Sequence, residues 1–357
     1  MPTDRSPAPA ALRPLAGAIE PVYRRVVARR NAKFDQGKGV VTLDRPVISV
    51  GNISVGGTGK TPMVDRIVRW LIEEGHHPAI AMRGYRPGPD GVSDEARLYH
   101  DAFEGVPVVA QPNRLDGLLA LFATDLGKRI DVVVLDDGFQ HRRLARTLDI
   151  VLLDASSDPF GDRCLPAGWL REPPASIARA GAVVLTHTDR AESSTRGTIG
   201  SNVSKFHGAP PIAHTRHTWA DLDVLSGSES TTEPVGWLAR KRVLAVCAIG
   251  KPESFFRGVE NAGASSAERI ALRDHDRYSD RTIAEIIRVA RAHNAAAVVT
   301  TAKDWAKLRR VPAEAWPVPV ARPRLALGFE RGEADLHSLV LLAAAADPDD
   351  PPVVWWK

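Results

Sequence analysis

Short apolar runs alternate with amphipathic segments along most of this 357-residue chain. The run at residues 46–50 is rich in β-branched side chains, and a glycine-rich turn joins it to a helical pattern at 62–74. Further strand-like runs follow at 78–82, 106–110, 132–135, 150–153 and 183–185. This alternation predicts an α/β fold, in which helices cover both faces of a parallel sheet in an α/β/α sandwich.

A second, shorter alternating set indicates a second domain. It contains a strand at 243–249, a helix at 279–293 and a strand at 297–301. The intervening residues 190–235 are rich in Ser, Thr, Gly and His and show little periodicity. We therefore expect a helical segment at 1–35, a larger α/β domain at 36–210, a linker with a strand pair at 211–235, a second, smaller α/β/α domain at 236–345 and an irregular tail at 346–357.

The N-terminal segment is amphipathic. One helical face carries apolar residues at three- and four-residue steps, namely Leu12, Leu15, Ile19, Val22, Tyr23 and Val26. The other positions supply a basic complement, namely Arg13, Arg24, Arg25, Arg29, Arg30 and Lys33. Such a helix could lie in the interface of an anionic membrane, or dock on the core with a solvated basic face.

The amino-acid composition excludes few classes of protein. Hydrophobic residues make up 44% and charged residues 25% of the chain, as in ordinary soluble proteins. No apolar run approaches the roughly 18–20 residues of a bilayer span, and the first residues lack the apolar core of a secretory signal. We expect the chain to stay on the cytoplasmic side, with Cys164 and Cys247 reduced and buried. The net charge of +4 suits a nucleotide, an acidic lipid or a nucleic acid equally well.

The glycine-rich turn matches the phosphate-binding loop, or P-loop, of nucleotide-binding proteins. That pattern is a glycine, four residues and then Gly-Lys-Ser/Thr between a strand and a helix. Here the triplet is intact, although Ser54 replaces the first glycine; the loop is Ser54, Val55, Gly56, Gly57, Thr58, Gly59, Lys60 and Thr61. The replacement is compatible with the loop because backbone N–H groups bind the phosphate. Lys60 is expected to reach the β- and γ-phosphates, and Thr61 to hold Mg²⁺.

An apolar strand at 132–135 ends in two acids, Asp136 and Asp137. In P-loop proteins an acid at such a strand end binds Mg²⁺ directly or through water. Gln140 and His141 follow in the same polar turn, and ligands of open α/β sheets gather at the carboxyl edge. The first domain is therefore predicted to be a P-loop NTPase-type parallel sheet that binds a nucleoside triphosphate with Mg²⁺.

These motifs resemble a known family, the tetraacyldisaccharide 4'-kinases that act in lipid A biosynthesis. The resemblance rests on segments in the family order: 49–62 around the P-loop, Arg83-Gly84-Tyr85, Asp136-Asp137-Gly138-Phe139-Gln140-His141, 165–172, Asp274-His275 with Tyr278, and Thr301 with Lys303-Asp304. It spans residues 12–330. It implies ATP-dependent phosphorylation of the 4'-hydroxyl of a tetraacyl glucosamine disaccharide 1-phosphate, forming lipid IVA. It also implies a peripheral enzyme on the cytoplasmic face of the inner membrane, with the N-terminal helix facing the membrane and no nucleic-acid partner.

The resemblance also assigns roles to residues. Asp94 takes the position of the catalytic base, although Ser93 stands where the family has glycine, and His275 matches the histidine that pairs with that base. An oriented carboxylate can accept the proton of an attacking hydroxyl. Residues expected to contact substrate or phosphate are Tyr85, Arg114, Gln140, His141 and Arg171.

Two alternatives remain open from the sequence. Residues 183–189 resemble the strand-end segment that reads guanine in P-loop GTPases, with His187 in place of the lysine. This favours a GTPase or metallochaperone-type switch that acts on a protein, although no metal-ligand cluster supports the metallochaperone version. A nucleotide-gated membrane scaffold is the third possibility, and it leaves Asp94 and His275 without a role.

Overall fold

The computed structural model describes residues 6–84, 93–250, 252–274 and 276–355. The chain forms two compact units. One comprises Met1–His217 with Leu327–Lys357, and the other comprises Thr218–Ala326. The second unit is thus an insertion, and the chain returns to the first unit after it.

The elements of the first unit up to the insertion are α1 (Arg13–Asp35), β1 (Val47–Asn52), α2 (Lys60–Glu73), β2 (Pro78–Met82), α3 (Asp94–Ala102), β3 (Val108–Ala110), α4 (Arg114–Phe122), β4 (Val132–Asp136), β5 (Leu148–Asp154), β6 (Ala182–Thr186), α5 (Ser193–His207) and the start of β7 (Ala213–Ser226). The later elements are β8 (Glu229–Pro234), β9 (Arg242–Cys247), α6 (Pro252–Asn261), β10 (Ser266–Ala271), α7 (Asp280–Ala292), β11 (Ala297–Thr300), α8 (Ala302–Leu308), β12 (Val320–Arg331) and α9 (Glu333–Ala344).

The sheet of the first unit is parallel, with strand order β3-β2-β4-β1-β5-β6-β7. β1, β4, β5 and β6 are buried along their whole length, as expected of strands covered on both faces. In the register of β1 with β4, Val50 lies opposite Asp136. The loop that follows β1 therefore emerges beside the acidic end of β4.

The C-terminal helix belongs to the first unit, contrary to the expected boundary that placed residues up to 345 in the smaller domain. Leu336 and Val340 of α9 are fully buried in one apolar cluster with Ile48 of β1 and Met63 of α2. Burial of this apolar face stabilises the packing of the helix on the first unit. Its place after β12 in the sequence does not decide which unit it packs on. The tail is irregular but held, since Val353 donates its backbone N–H to the Thr147 carbonyl at 2.7 Å.

The second unit has its own core. β10, β9, β11 and β12 pair in parallel in that order, and one apolar cluster packs on each face of this sheet. β7 and β8 form an antiparallel ribbon with Ser226 opposite Glu229. Both cysteines are buried and unpaired by disulfide. Within the described residues, no helix has the length and apolarity needed to cross a membrane.

Candidate active site

The phosphate-binding turn lies between β1 and α2 and needs glycine at two positions. Gly59, which precedes the first residue of α2, has a φ of 85°, and Gly56 has a φ of 127°. Both angles are in the region that side chains with a Cβ disfavour. A Cβ at Gly59 would also lie 2.8 Å from Nε2 of His217. Because these positions carry no side chain, the backbone N–H groups of the turn can approach an anion at the N-terminus of a 14-residue helix.

Buried hydrogen bonds hold this turn in place. Asn52 Nδ2 donates to Thr58 Oγ1 at 2.8 Å, and Thr186 Oγ1 donates to the Thr58 carbonyl at 2.9 Å. The Val55 N–H donates to the Trp169 carbonyl at 2.8 Å. Contacts from β1, β6 and the 162–172 loop thus fix both ends of the turn, so less reordering is needed when a ligand binds.

Asp136 ends β4 as a buried carboxylate with one free oxygen. The Tyr99 hydroxyl donates to its Oδ2 at 2.9 Å, while its Oδ1 is buried without a hydrogen-bond partner in the described part of the chain. Burial raises the pKa of Asp136 to about 6, against the opposing charge of Lys60. A buried acceptor without a partner costs free energy. A cation at Oδ1 would remove that cost.

Asp137 is held by two basic side chains. Its backbone is left-handed, with a φ of 53°, which turns the side chain away from the direction of the strand. Arg171 Nη1 lies 2.9 and 2.7 Å from its two carboxylate oxygens, and Lys60 Nζ lies 3.6 Å from Oδ1. Burial acts to raise the pKa of Asp137, but the charges of Lys60 and Arg171 hold it below its usual value. Asp137 is therefore an anion that keeps Lys60 and Arg171 together.

Arg114 binds the backbone of the acidic strand end. It is 3% exposed, and its Nη2 donates to the carbonyls of Asp136 at 3.1 Å and Asp137 at 3.3 Å. The sequence predicted a phosphate contact for this arginine. The structure places it against these carbonyls, where it fixes the turn that carries both acids.

Gln140 and His141 complete the polar turn after β4. Gln140 Nε2 donates to the Asn52 carbonyl at 2.9 Å, and its Oε1 lies 3.5 Å from Arg171 Nη1. Burial and three nearby arginines lower the pKa of His141 to about 4. His141 is consequently neutral near pH 7, and its buried Nε2 has no hydrogen-bond partner among the described residues. It can therefore offer either a donor or an acceptor to a ligand.

Helix α1 contacts this site through its inner face. The Tyr23 hydroxyl donates to the Arg171 carbonyl at 2.9 Å, and Asn31 Nδ2 donates to Glu172 Oε2 at 2.7 Å. Glu172 is fully buried and is also bound by Arg179, with a shortest distance of 2.9 Å. These contacts, together with Tyr99 and Thr186, were not predicted from the sequence. Their residue types carry no local signal of a site, and only the fold brings them to it.

Three of the sequence-predicted residues cannot be placed fully. Tyr85 and His275 lie outside the described residues. Asp94 is the first residue of α3, and its side chain is likewise outside the description. Ser93, which stands where the family has glycine, is the N-cap of this helix, and its side chain accepts a hydrogen bond from the Ala96 N–H at 3.2 Å. The serine thus defines the start of α3.

The residues present fit a magnesium ion bound with a nucleotide. No group of three or more His, Cys, Asp or Glu side chains in the described segments could hold a metal alone. Mg²⁺ usually needs only one or two carboxylates besides the phosphates and water. Asp136 offers the free oxygen, and Thr61, the second residue of α2, offers a hydroxyl directly after the phosphate-binding turn.

The segment that suggested guanine recognition is occupied by internal contacts. His187 is 3% exposed and its Nδ1 lies 3.2 Å from Asp154 Oδ1. Its ring meets the His217 ring edge-on, with 4.4 Å between centroids. The position that would be lysine in a guanine-binding segment is thus buried within the protein.

A glycine-rich turn that opens a helix, a lysine at its first position and a neighbouring acidic strand end define a P-loop nucleotide-binding enzyme. The sequence profile of the family described as tetraacyldisaccharide-1-P 4'-kinase matches residues 10–337. The chain belongs to this family, which favours the kinase over the GTPase switch.

Individual relatives agree with this family. The tetraacyldisaccharide 4'-kinase of Geobacter metallireducens is 38% identical over 283 residues, which cover 75% of this chain and 80% of that protein. The enzyme of the same name from Anaeromyxobacter sp. strain K is 36% identical over 367 residues, covering 96% and 95%. The crystal structure of LpxK from Aquifex aeolicus in complex with ATP matches with a TM-score of 0.71 and 30% identity, over 93% of this chain and 99% of that one.

Proposed function

We propose that this chain transfers the γ-phosphate of ATP to the 4'-hydroxyl of a tetraacyl glucosamine disaccharide 1-phosphate, forming lipid IVA. The observation that carries the proposal is the family match over residues 10–337, joined to a P-loop with an intact Gly-Lys-Thr triplet beside an acidic strand end. Two relatives that match over at least three quarters of this chain are named tetraacyldisaccharide 4'-kinase.

The triphosphate would lie on residues 54–61, with Lys60 at the β- and γ-phosphates. Thr61 and Asp136 would hold Mg²⁺, because Asp136 has the unpartnered oxygen whereas both oxygens of Asp137 contact Arg171. The metal supplies charge neutralisation for the transferring phosphoryl group. Asp137 would hold the side chains of Lys60 and Arg171 where they can bind phosphate, since both cations already form ion pairs with it.

Asp94 would act as the base and His275 as its partner, as the family motif implies. Asp94 is the first residue of α3, whose Tyr99 reaches Asp136. A carboxylate at this end of α3 can accept the proton of the sugar hydroxyl as its oxygen attacks phosphorus. Neutral His141 and Gln140 would contact the acceptor or phosphate at the same edge of the sheet.

The membrane part of the proposal rests on the outer face of α1. Five apolar side chains are exposed along this face and at the residue just before the helix, in steps of three and four residues, which we call the outer stripe: Leu12, Leu15, Ile19, Val22 and Val26. Arg29 and Lys33 continue the same row and are exposed. The buried residues Ala16, Glu20 and Val27 lie on the inner face. An exposed apolar row followed by cations suits the interface of an anionic membrane, here the cytoplasmic face of the inner membrane.

The test is transfer of labelled γ-phosphate from ATP to a tetraacyl disaccharide 1-phosphate in mixed micelles. We expect labelled lipid from the unmodified protein, and a loss of at least about a hundredfold in Lys60→Ala and Asp94→Ala, because each removes a group acting in the transition state. Asp125→Ala is the matched control, because Asp125 is fully exposed and pairs only at the surface with Lys128.

Two results would refute parts of the proposal. Nucleotide consumption without labelled lipid, with GTP preferred over ATP, would replace the kinase with the NTPase switch. Full activity in Asp94→Ala would leave the kinase assignment intact but remove Asp94 as the base.

A further inference from the structure

We propose that Tyr99 is a positioning residue for the magnesium site, acting through Asp136. Tyr99 is 1% exposed, and its hydroxyl donates to Asp136 Oδ2 at 2.9 Å. The phenol thus holds a side chain assigned to the metal, and the inference rests on that assignment.

The hydrogen bond selects one orientation of the Asp136 carboxylate. The terminal torsion of an aspartate is broad, so burial alone does not fix which way its two oxygens point. With Oδ2 bound to Tyr99, Oδ1 is left buried and without a partner. The phenol therefore orders the carboxylate before the metal arrives, as outer partners of metal ligands do elsewhere.

The ring of Tyr99 is itself fixed by the core. Tyr99 belongs to the apolar cluster that includes Ile80, Met82 and Val134, and Ala96 and Phe103 bury the same face of α3. The hydroxyl consequently cannot move without displacing the helix. Asp94 lies five residues earlier on α3, about 7.5 Å along the helix axis at 1.5 Å per residue. The helix that begins with the proposed base therefore also positions Asp136, a proposed metal ligand.

The test is Tyr99→Phe, which keeps the ring and removes the hydroxyl. Binding of a non-hydrolysable ATP analogue is measured by calorimetry with Mg²⁺ and with EDTA. We expect the affinity in Mg²⁺ to fall about tenfold, equivalent to about 1.4 kcal/mol, with the affinity in EDTA unchanged. In the kinase assay the Mg²⁺ concentration for half-maximal rate should rise while the KM for lipid stays the same.

Thr147→Val is the matched control, because it also removes a buried hydrogen-bonded hydroxyl, which Thr147 donates to the Val47 carbonyl at 3.0 Å at the amino end of β1. It should leave the Mg²⁺ dependence of analogue binding unchanged. A double-mutant cycle with Asp136→Asn tests whether the phenol acts through the carboxylate. Tyr99→Phe should have a much smaller effect when Asp136 is already replaced.

The outcomes separate this inference from the function it rests on. If Asp136→Asn weakens Mg²⁺-dependent binding but Tyr99→Phe does not, the positioning role is wrong and the metal assignment stands. Additive effects in the cycle, or equal weakening in Mg²⁺ and in EDTA, would also overturn it. If Asp136→Asn itself leaves Mg²⁺-dependent binding unchanged, the metal assignment fails and the inference fails with it.

Discussion

The outer stripe of α1 makes a quantitative prediction about membrane binding. Leu15 and Val22 are each 57% exposed, so about half of each side chain remains to be buried. Full burial of such a side chain contributes about 1.5–3 kcal/mol, and the exposed halves therefore contribute about 1 kcal/mol each. Leu15→Gln with Val22→Gln should weaken partitioning by about 2 kcal/mol, or roughly thirtyfold. Glutamine is chosen because it keeps the helix propensity near that of leucine.

The assay is co-sedimentation with vesicles of phosphatidylethanolamine and phosphatidylglycerol, at low and at high salt. The double variant Leu119→Gln with Leu342→Gln is the matched control, since these side chains are 53% and 60% exposed on α4 and α9. It removes a similar apolar area from other helices and should bind vesicles as the parent does. Unchanged partitioning of the α1 variant, or an equal loss in the control, would refute the membrane role of the stripe.

Three further predictions concern stability. Gly51→Ala should lower the free energy of unfolding by about 1–3 kcal/mol in urea titrations, because its Cβ would lie 2.5 Å from Phe139 Cβ. Asp154 has a pKa lowered to about 2, since its interaction with His187 and the hydrogen bonds from Ser156 outweigh its burial. A lowered acid pKa stabilises the fold above about pH 4. Asp154→Asn should therefore cost about 2 kcal/mol at pH 7, and progressively less between pH 4 and 2, in denaturant titrations. Glu172→Gln should lower stability by about 3 kcal/mol and speed hydrogen exchange in α1, and exchange at the parent's rate would contradict the contact described above.

The sequence predicted the elements whose signals are local. The apolar runs of β4 and β6 are uninterrupted because both faces of these strands are covered, and this pattern is visible without the fold. The P-loop was equally readable, since its left-handed backbone at Gly59 needs glycine and its helix begins at once. Both depend on short stretches of chain, and the structure places them at one edge of the sheet.

The remaining features depend on contacts between distant segments. α9 follows the second unit in sequence but is buried against β1 and α2. The local sequence pattern of a helix does not indicate which sheet the helix will cover. Tyr99 is likewise indistinguishable in sequence from any core aromatic residue. The phosphate contact expected of Arg114, because arginine suits that role, stays a prediction. Only the fold shows that Arg114 also donates to the carbonyls of the two acids.

The proposed membrane contact and the contacts with the site lie on different faces of α1. Its outer stripe faces away from the protein, whereas Tyr23 and Asn31 on its other side hold Arg171 and Glu172. Arg171 in turn binds Asp137, which lies beside Lys60. Replacing apolar side chains of the outer stripe should therefore reduce the amount of enzyme at the lipid surface without changing nucleotide affinity. Replacing residues of the inner face should disturb the phosphate site even with substrate in micelles, because the inner face is linked to Lys60 through Arg171 and Asp137.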